Sequence, residues 1–192
     1  MTGSDGTNKG NFTIRNMGFG DMATVLDWAA REGWNPGLYD AESFFFQDEQ
    51  GFFIGELDGK PVCSISAVSY GDNFGFIGFY IVLPEFRNDK YGSLIALHAR
   101  NCLGNRNIGL DGVLERKDNY SRLGFHYAYK NFRFEGTAEG IETVSKNLVN
   151  TKDLHFKETA DYDERFFPAR REDPPRRGKK KKNFFFLTRV SS

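Results

Sequence analysis

Residues 80–93 combine the ingredients of an anion-binding turn. An apolar strand, Phe74 to Val82, stops at Pro84. A polar turn follows, carrying Arg87, Asn88, Asp89, Lys90 and Gly92, and a helix then opens at about Tyr91. A strand–turn–helix junction points several free backbone N–H groups at one spot, and the helix dipole makes that spot attractive to phosphate. Ser93 adds a hydroxyl. Tyr120 offers a second chemistry: its phenol is protonated at neutral pH and can give a proton to a departing anion. Asp111 and Glu56 are carboxylates that could take a proton from a nucleophile, or could simply be solvated or structural. His98 falls on an apolar helix face and reads as a core histidine, while His126 reads as an ordinary strand residue or one at the mouth of a cleft.

The elements that must position these residues follow from periodicity. Phe12 to Met17 alternates apolar and polar, as a first strand should. Asp21 can cap a helix whose apolar positions Met22, Val25, Leu26 and Ala29 keep helical spacing, with Gly33 beyond its end. Trp34 to Gly37 is a turn, and Asp40 caps a second helix through Phe44 to Gln47. Strands are expected over Phe52–Leu57, Pro61–Tyr70 and Asn73–Val82, joined by turns at Asp58-Gly59 and Gly71-Asp72. After the polar turn come a helix from about Tyr91 to Leu103, a strand near Ile108–Val113, a short helix near Lys117–Leu123, and a strand from Phe125 to Phe134. Antiparallel hairpins followed by a parallel βαβ step make a mixed, twisted sheet of the α/β (α+β) class.

Two segments carry a resemblance. Pro84-Glu85-Phe86-Arg87-Asn88-Asp89-Lys90-Tyr91-Gly92-Ser93 resembles the cofactor motif of the Gcn5-related N-acetyltransferases, and Asn119-Tyr120-Ser121-Arg122-Leu123-Gly124-Phe125 matches that family's Tyr-x-x-Leu-Gly-Phe. The two motifs stand in the family's order, and the β-α-α-β-β-β-α-β-α-β sequence of elements is the family's too. The likeness covers roughly residues 12–136. It implies that acetyl-CoA is the co-substrate and a small amine the acceptor. The pyrophosphate would lie on the turn Arg87, Asn88, Asp89, Lys90, Tyr91, Gly92 and Ser93. Tyr80, Ile81 and Val82 would bind the pantetheine arm through their backbone. Tyr120 would stand beside the departing thiolate, with Asp111 a candidate base. Trp28, Trp34, Leu38, Tyr39 and Phe44 would line the acceptor pocket, Trp28, Trp34 and Tyr39 foremost, an aromatic wall suited to a small or partly apolar amine, or could equally be core.

The chain departs from the family's pattern at two places. Lys90 stands where a glycine is usual; it costs about 1 kcal/mol if the position needs a positive φ, and adds a cation near the phosphates if it does not. Val113 stands where the family often has a cofactor-binding asparagine. Ile108 to Val113 and Asp161 to Arg170 resemble the YitH/HolE-type branch, whose members carry a second acetyltransferase-like domain.

Composition bounds the rest. A chain of 192 residues with 20 phenylalanines can build one domain with a proper core. No apolar run approaches the roughly 20 residues needed to span a bilayer. Residues 1–11 read as a disordered leader without a secretory signal. Cys63 and Cys102 lack metal-ligand spacing and read as reduced core thiols, pointing to a reducing, cytoplasmic setting. The net charge of zero hides segregation: from Arg165 onward there are ten basic and two acidic residues, against 16 basic and 24 acidic residues before it. Residues 12–150 are expected to form the catalytic domain and residues 151–171 the start of an incomplete second one. Residues 172–192 would be a disordered basic tail, nuclear-directing if it is a genuine import signal and the one place where nucleic acid could bind. Residues 151–171 are too few for a core of their own, so a cut after Asn150 is expected to leave the main thermal transition nearly unchanged. A monomer or homodimer is expected. The alternative functions are a catalytically weak CoA-binding module and a basic-tailed interaction protein.

Overall fold

The computed structural model describes residues 10–37, 40–132 and 154–171. Expectations for residues 1–9 of the leader, for Leu38 and Tyr39, for residues 133–153 and for the basic tail lie outside these residues; Asn11, assigned to the leader, is instead held to Asp58, its N–H donating to Oδ1 at 2.8 Å. Five strands form one sheet in the order β1 (Phe12–Asn16), β2 (Phe52–Leu57), β3 (Lys60–Tyr70), β4 (Phe74–Val82) and β5 (Asn107–Leu110). Neighbours are antiparallel up to β4, and β4–β5 is parallel. The helices are α1 (Asp21–Arg31), α2 (Asp40–Phe45), α3 (Tyr91–Leu103), α4 (Lys117–Arg122) and α5 (Phe156–Asp163). The fold is the mixed α+β sheet that the element order implied.

Alternation along the strands divides the core between the two faces of the sheet. On one face α3 lays Ile95, Ala99 and Leu103 against Phe53, Val62, Ile65 and Ala67. On the other, α1 and α2 bring Met22, Val25 and Phe45 onto Phe52, Ile54 and Val68. The β2–β3 turn uses Asp58 at φ 50° and Gly59 at φ 75°, the paired left-handed conformation that Asp-Gly hairpins favour.

Several expectations are corrected. Asp21 is the first residue of α1 and not its cap; its Oδ2 accepts the Gly18 N–H at 2.8 Å and pairs with Arg15. Cys102 is exposed, whereas Cys63 is fully buried. The buried stripe of α3 runs through Gly92, Ile95, Ala99 and Leu103, and adjacent helical residues are about 100° apart, so Cys102 falls off its edge. His98 is half-buried, edge-on to Phe53 and 3.7 Å from Cys102 Sγ. β5 ends at Leu110, short of Asp111, because its partner segment of β4 ends at Ile77. No strand forms over 125–132, where Tyr127 and Tyr129 stay exposed; the alternation is present, but a strand needs a paired neighbour to hold it. Beyond the catalytic-domain pattern, α5 and the residues after it dock on the sheet. Phe167 packs against Tyr70, Phe74 and Phe76, and Arg171 pairs with the buried Asp163.

Candidate active site

The site begins with a break in β4. Ser64 pairs with Ile81 and Ser66 with Gly78, so β4 spends two residues, Phe79 and Tyr80, opposite one residue of β3. This is a β-bulge. Phe79 sits at φ 46°, a conformation that costs a bulky residue about 1–3 kcal/mol. The buried Ser64 hydroxyl holds it there by donating to the Phe79 carbonyl at 2.8 Å. The bulge redirects β4, and its pairing with β5 stops at Ile77–Leu110. Among the described residues no strand pairs with the second half of β4 on that side, which leaves a gap in the sheet.

The first turn of α3 stands against this half of β4. The earliest intrahelical bond runs from Leu94 N–H to the Lys90 carbonyl, leaving the N–H groups of Tyr91, Gly92 and Ser93 without an intrahelical acceptor. Gly92 is buried, and a Cβ there would lie 2.9 Å from Tyr80 Oη and 3.0 Å from Val82 Cγ2. A side chain at this position would fill the junction between β4 and α3. Lys90 has φ −77°, so it carries no left-handed strain and contributes its charge. Asn88, Asp89 and Lys90 are exposed on the turn, and Ile81 is buried against Trp28 and Ala29 of α1.

Arg87 is not free to act as a cation. Its Nε–H donates to the Val82 carbonyl at 3.0 Å and its terminal nitrogen pairs with Glu32. It is a strut for the turn.

Tyr120 closes the other side of the gap. Gly124, at φ 91°, ends α4 and lets Phe125 N–H reach back to the Tyr120 carbonyl at 3.1 Å. The Leu-Gly-Phe sequence thus folds the chain so that the Phe125 ring meets Tyr120 edge-on at 6.4 Å. On its opposite flank Tyr120 lies against Gly112, where a Cβ would come within 2.5 Å of Cε2. Burial raises the Tyr120 phenol above its ordinary pKa, opposed by the Arg116 charge and by a hydrogen bond from the Val113 backbone. The same Arg116 and the Tyr120 phenol itself act on Tyr80, whose pKa burial also raises.

The structure brings Tyr80, Val82, Gly92 and Tyr120 together; Tyr91 and Ser93 contribute their backbone N–H groups, while the Tyr91 ring packs on Phe12 and Phe86. The structure does not bring in the remaining candidates. Asp111 is exposed beyond β5 and accepts from Asn131 Nδ2 at 2.9 Å. Glu56 is committed to Arg15. Trp28 is 7% exposed, packed in a cluster with Ala29 and Ile81, and is core and not pocket wall. Trp34 lies in the exposed turn after α1. Of the expected wall, Phe44 is the aromatic surface beside the bulge, 44% exposed and edge-on to Phe79 at 5.7 Å.

Sequence reasoning missed the Phe79 bulge, its Ser64 anchor, Glu32, Gly112 and Arg116. Gly78 within an apolar strand was the available signal for the bulge; the others have no local signature. Among the described residues no three metal-ligating side chains cluster, and no helix is long and apolar enough to cross a membrane.

Comparison with known proteins identifies the family and the fold. The family model described as the acetyltransferase (GNAT) family matches residues 19–126. Holothin acyltransferase from Pseudoalteromonas sp. (strain SANK 73390) is 35% identical over 154 residues, covering 80% of this chain and 52% of that protein. The chain thus spans about half the length of the curated relative it matches. Among solved structures, Ard1 from Thermoplasma volcanium gives a TM-score of 0.55 at 18% identity, covering 62% of this chain and 84% of that one. An acetyltransferase from Trypanosoma brucei gives 0.50 at 17% identity, covering 65% and 99%. At these identities the structural likeness speaks to the fold alone.

Proposed function

The chain belongs to the acetyltransferase (GNAT) family, and we propose that it moves an acetyl group from acetyl-CoA to the primary amine of a small, partly apolar molecule by direct attack in a ternary complex. The observation that carries this reading is the gap itself: the unpaired half of β4 on one side, Tyr120 on the other, and the N–H groups of α3 at its foot. Acetyl-CoA supplies an activated thioester carbonyl. The residues fit it, since the α3 terminus offers donors to pyrophosphate, Lys90 adds a cation, and the absent side chain of Gly92 keeps the approach open.

On the side away from β3, the backbone beyond the bulge, apart from the Val82 carbonyl that Arg87 occupies, would hydrogen-bond the pantetheine arm and the thioester oxygen, where charge develops during transfer. Tyr120 donates its proton to the sulfur as the C–S bond breaks and the N–C bond forms; its raised pKa keeps it in the donating form. The amine proton passes to solvent, because Glu56 is paired and Asp111 points its bond to Asn131. Phe44 and Phe79 supply an aromatic surface for the acceptor. A relative described as a holothin acyltransferase supports acyl transfer.

The test is release of free CoA thiol in a screen of small amines, alongside calorimetry with acetyl-CoA. Binding with amine-dependent thiol release is expected. Binding with no release for any amine would favour a CoA-binding module, and no binding would reject the reading.

A further inference from the structure

Glu32 is placed against its local preference. It caps the C-terminus of α1, where the helix dipole is negative and a carboxylate is disfavoured. The neighbouring Arg31 meets the usual preference and pairs with Asp27 one turn back. What Glu32 meets is Arg87, 55 residues later in the chain. A planar guanidinium can serve two acceptors at fixed angles, and Arg87 does so: Nε–H to the Val82 carbonyl at 3.0 Å and a terminal nitrogen to Glu32.

The location gives this strut its consequence. Val82 is the last residue of β4, held by β3 on one side and unpaired with β5 on the other. The turn that follows is closed locally by short bonds, Phe86 N–H to the Leu83 carbonyl and Asp89 N–H to the Phe86 carbonyl. Arg87 ties that turn both to the strand end and to α1. Trp28 and Ala29 of α1 pack with Ile81 in the same region, so an apolar contact and a polar strut together fix the turn before α3 to α1.

Building on the function proposed above, we infer that Glu32 is a positioning residue for CoA: by holding Arg87 it sets the Val82 carbonyl and the turn before α3 in place, and so governs cofactor affinity without touching the cofactor. An alternative arrangement, in which Glu32 competes with phosphate for Arg87, predicts the opposite sign.

The experiment uses the full chain and calorimetry with acetyl-CoA on the wild type, Glu32→Ala, Glu32→Gln, Arg87→Ala and the double alanine variant. Glu32→Ala is expected to raise Kd roughly three- to thirty-fold, the scale of coupling through a shared contact. Arg87→Ala should do at least as much, and the double variant no more than Arg87→Ala. Glu32→Gln, which keeps an acceptor, should recover part of the loss. The pair is half exposed, so the melting temperature should move little, and KM for acetyl-CoA should rise while kcat at saturation stays within about two-fold. Unchanged or tighter binding by Glu32→Ala, or additive effects in the double variant, would overturn the inference. A wild type that does not bind acetyl-CoA would overturn the functional reading itself and this inference with it.

Discussion

At the scale of single residues, Tyr120 is positioned by two neighbours that contribute no functional group. Phe125 folds back onto one side of its ring and Gly112 leaves room on another. Tyr120→Phe keeps the ring and removes the donor, so kcat should fall roughly 10²–10⁴-fold with little change in KM for acetyl-CoA. Steady-state kinetics with an active acceptor checks this. Gly112→Ala should act through displacement: its Cβ would sit 2.5 Å from the ring, and an ångström-scale shift can cost about 10²-fold. Combined with Tyr120→Phe it should cost little more, which separates displacement from general damage. The pH profile follows from the raised phenol pKa. A proton donor that stays neutral to above about pH 10 leaves only the acceptor amine to titrate. Then kcat/KM should rise as the amine loses its proton and show no falling limb below about pH 10. A descending limb near pH 8 would exclude Tyr120 as the acid.

At the scale of elements, the bulge in β4 and the first turn of α3 define the site jointly. Gly92→Asp places a carboxylate where a Cβ already meets Tyr80 Oη at 2.9 Å and where a phosphate would lie. It should abolish acetyl-CoA binding by calorimetry, and normal binding would show that the site is misassigned. Lys90→Gly tests a departure from the family pattern. Because Lys90 has a negative φ, glycine relieves no strain there and removes a cation. Binding should weaken modestly, and the loss should shrink as salt is raised.

At the scale of the whole molecule, the docking of residues 154–171 changes what truncation should do. Phe167 fits among Tyr70, Phe74 and Phe76, Ala160 is buried, and Asp163 is held by Arg171 at 2.7 Å. A cut after Asn150 removes all of these. Fully burying a phenylalanine is worth about 1.5–3 kcal/mol, and each kcal/mol moves the melting temperature by about 2–4 °C in chains of 150–250 residues. Differential scanning calorimetry should therefore show a loss of several degrees. An unchanged transition would mean that the segment is an appendage. The gap and the α3 terminus lie in residues 78–120, so acetyl-CoA binding should survive the cut.

The amino-acid sequence by itself determined what depends on local order. Strand alternation, the Asp58-Gly59 hairpin, the helix from Tyr91 to Leu103 and both family motifs are written in neighbouring residues, because periodicity and turn chemistry act over short distances. Tertiary structure alone decided which of those features meet. That Arg87 is spent on Glu32 and Val82, that Trp28 is core while Phe44 faces outward, and that Asp111 falls beyond the end of its strand all depend on partners distant in the chain. The strand expected after Gly124 is the clearest case. Its alternation of Phe125, Tyr127 and Tyr129 is plain in the sequence, but pairing across a sheet is a property of two segments, and among the described residues no strand pairs with 125–132.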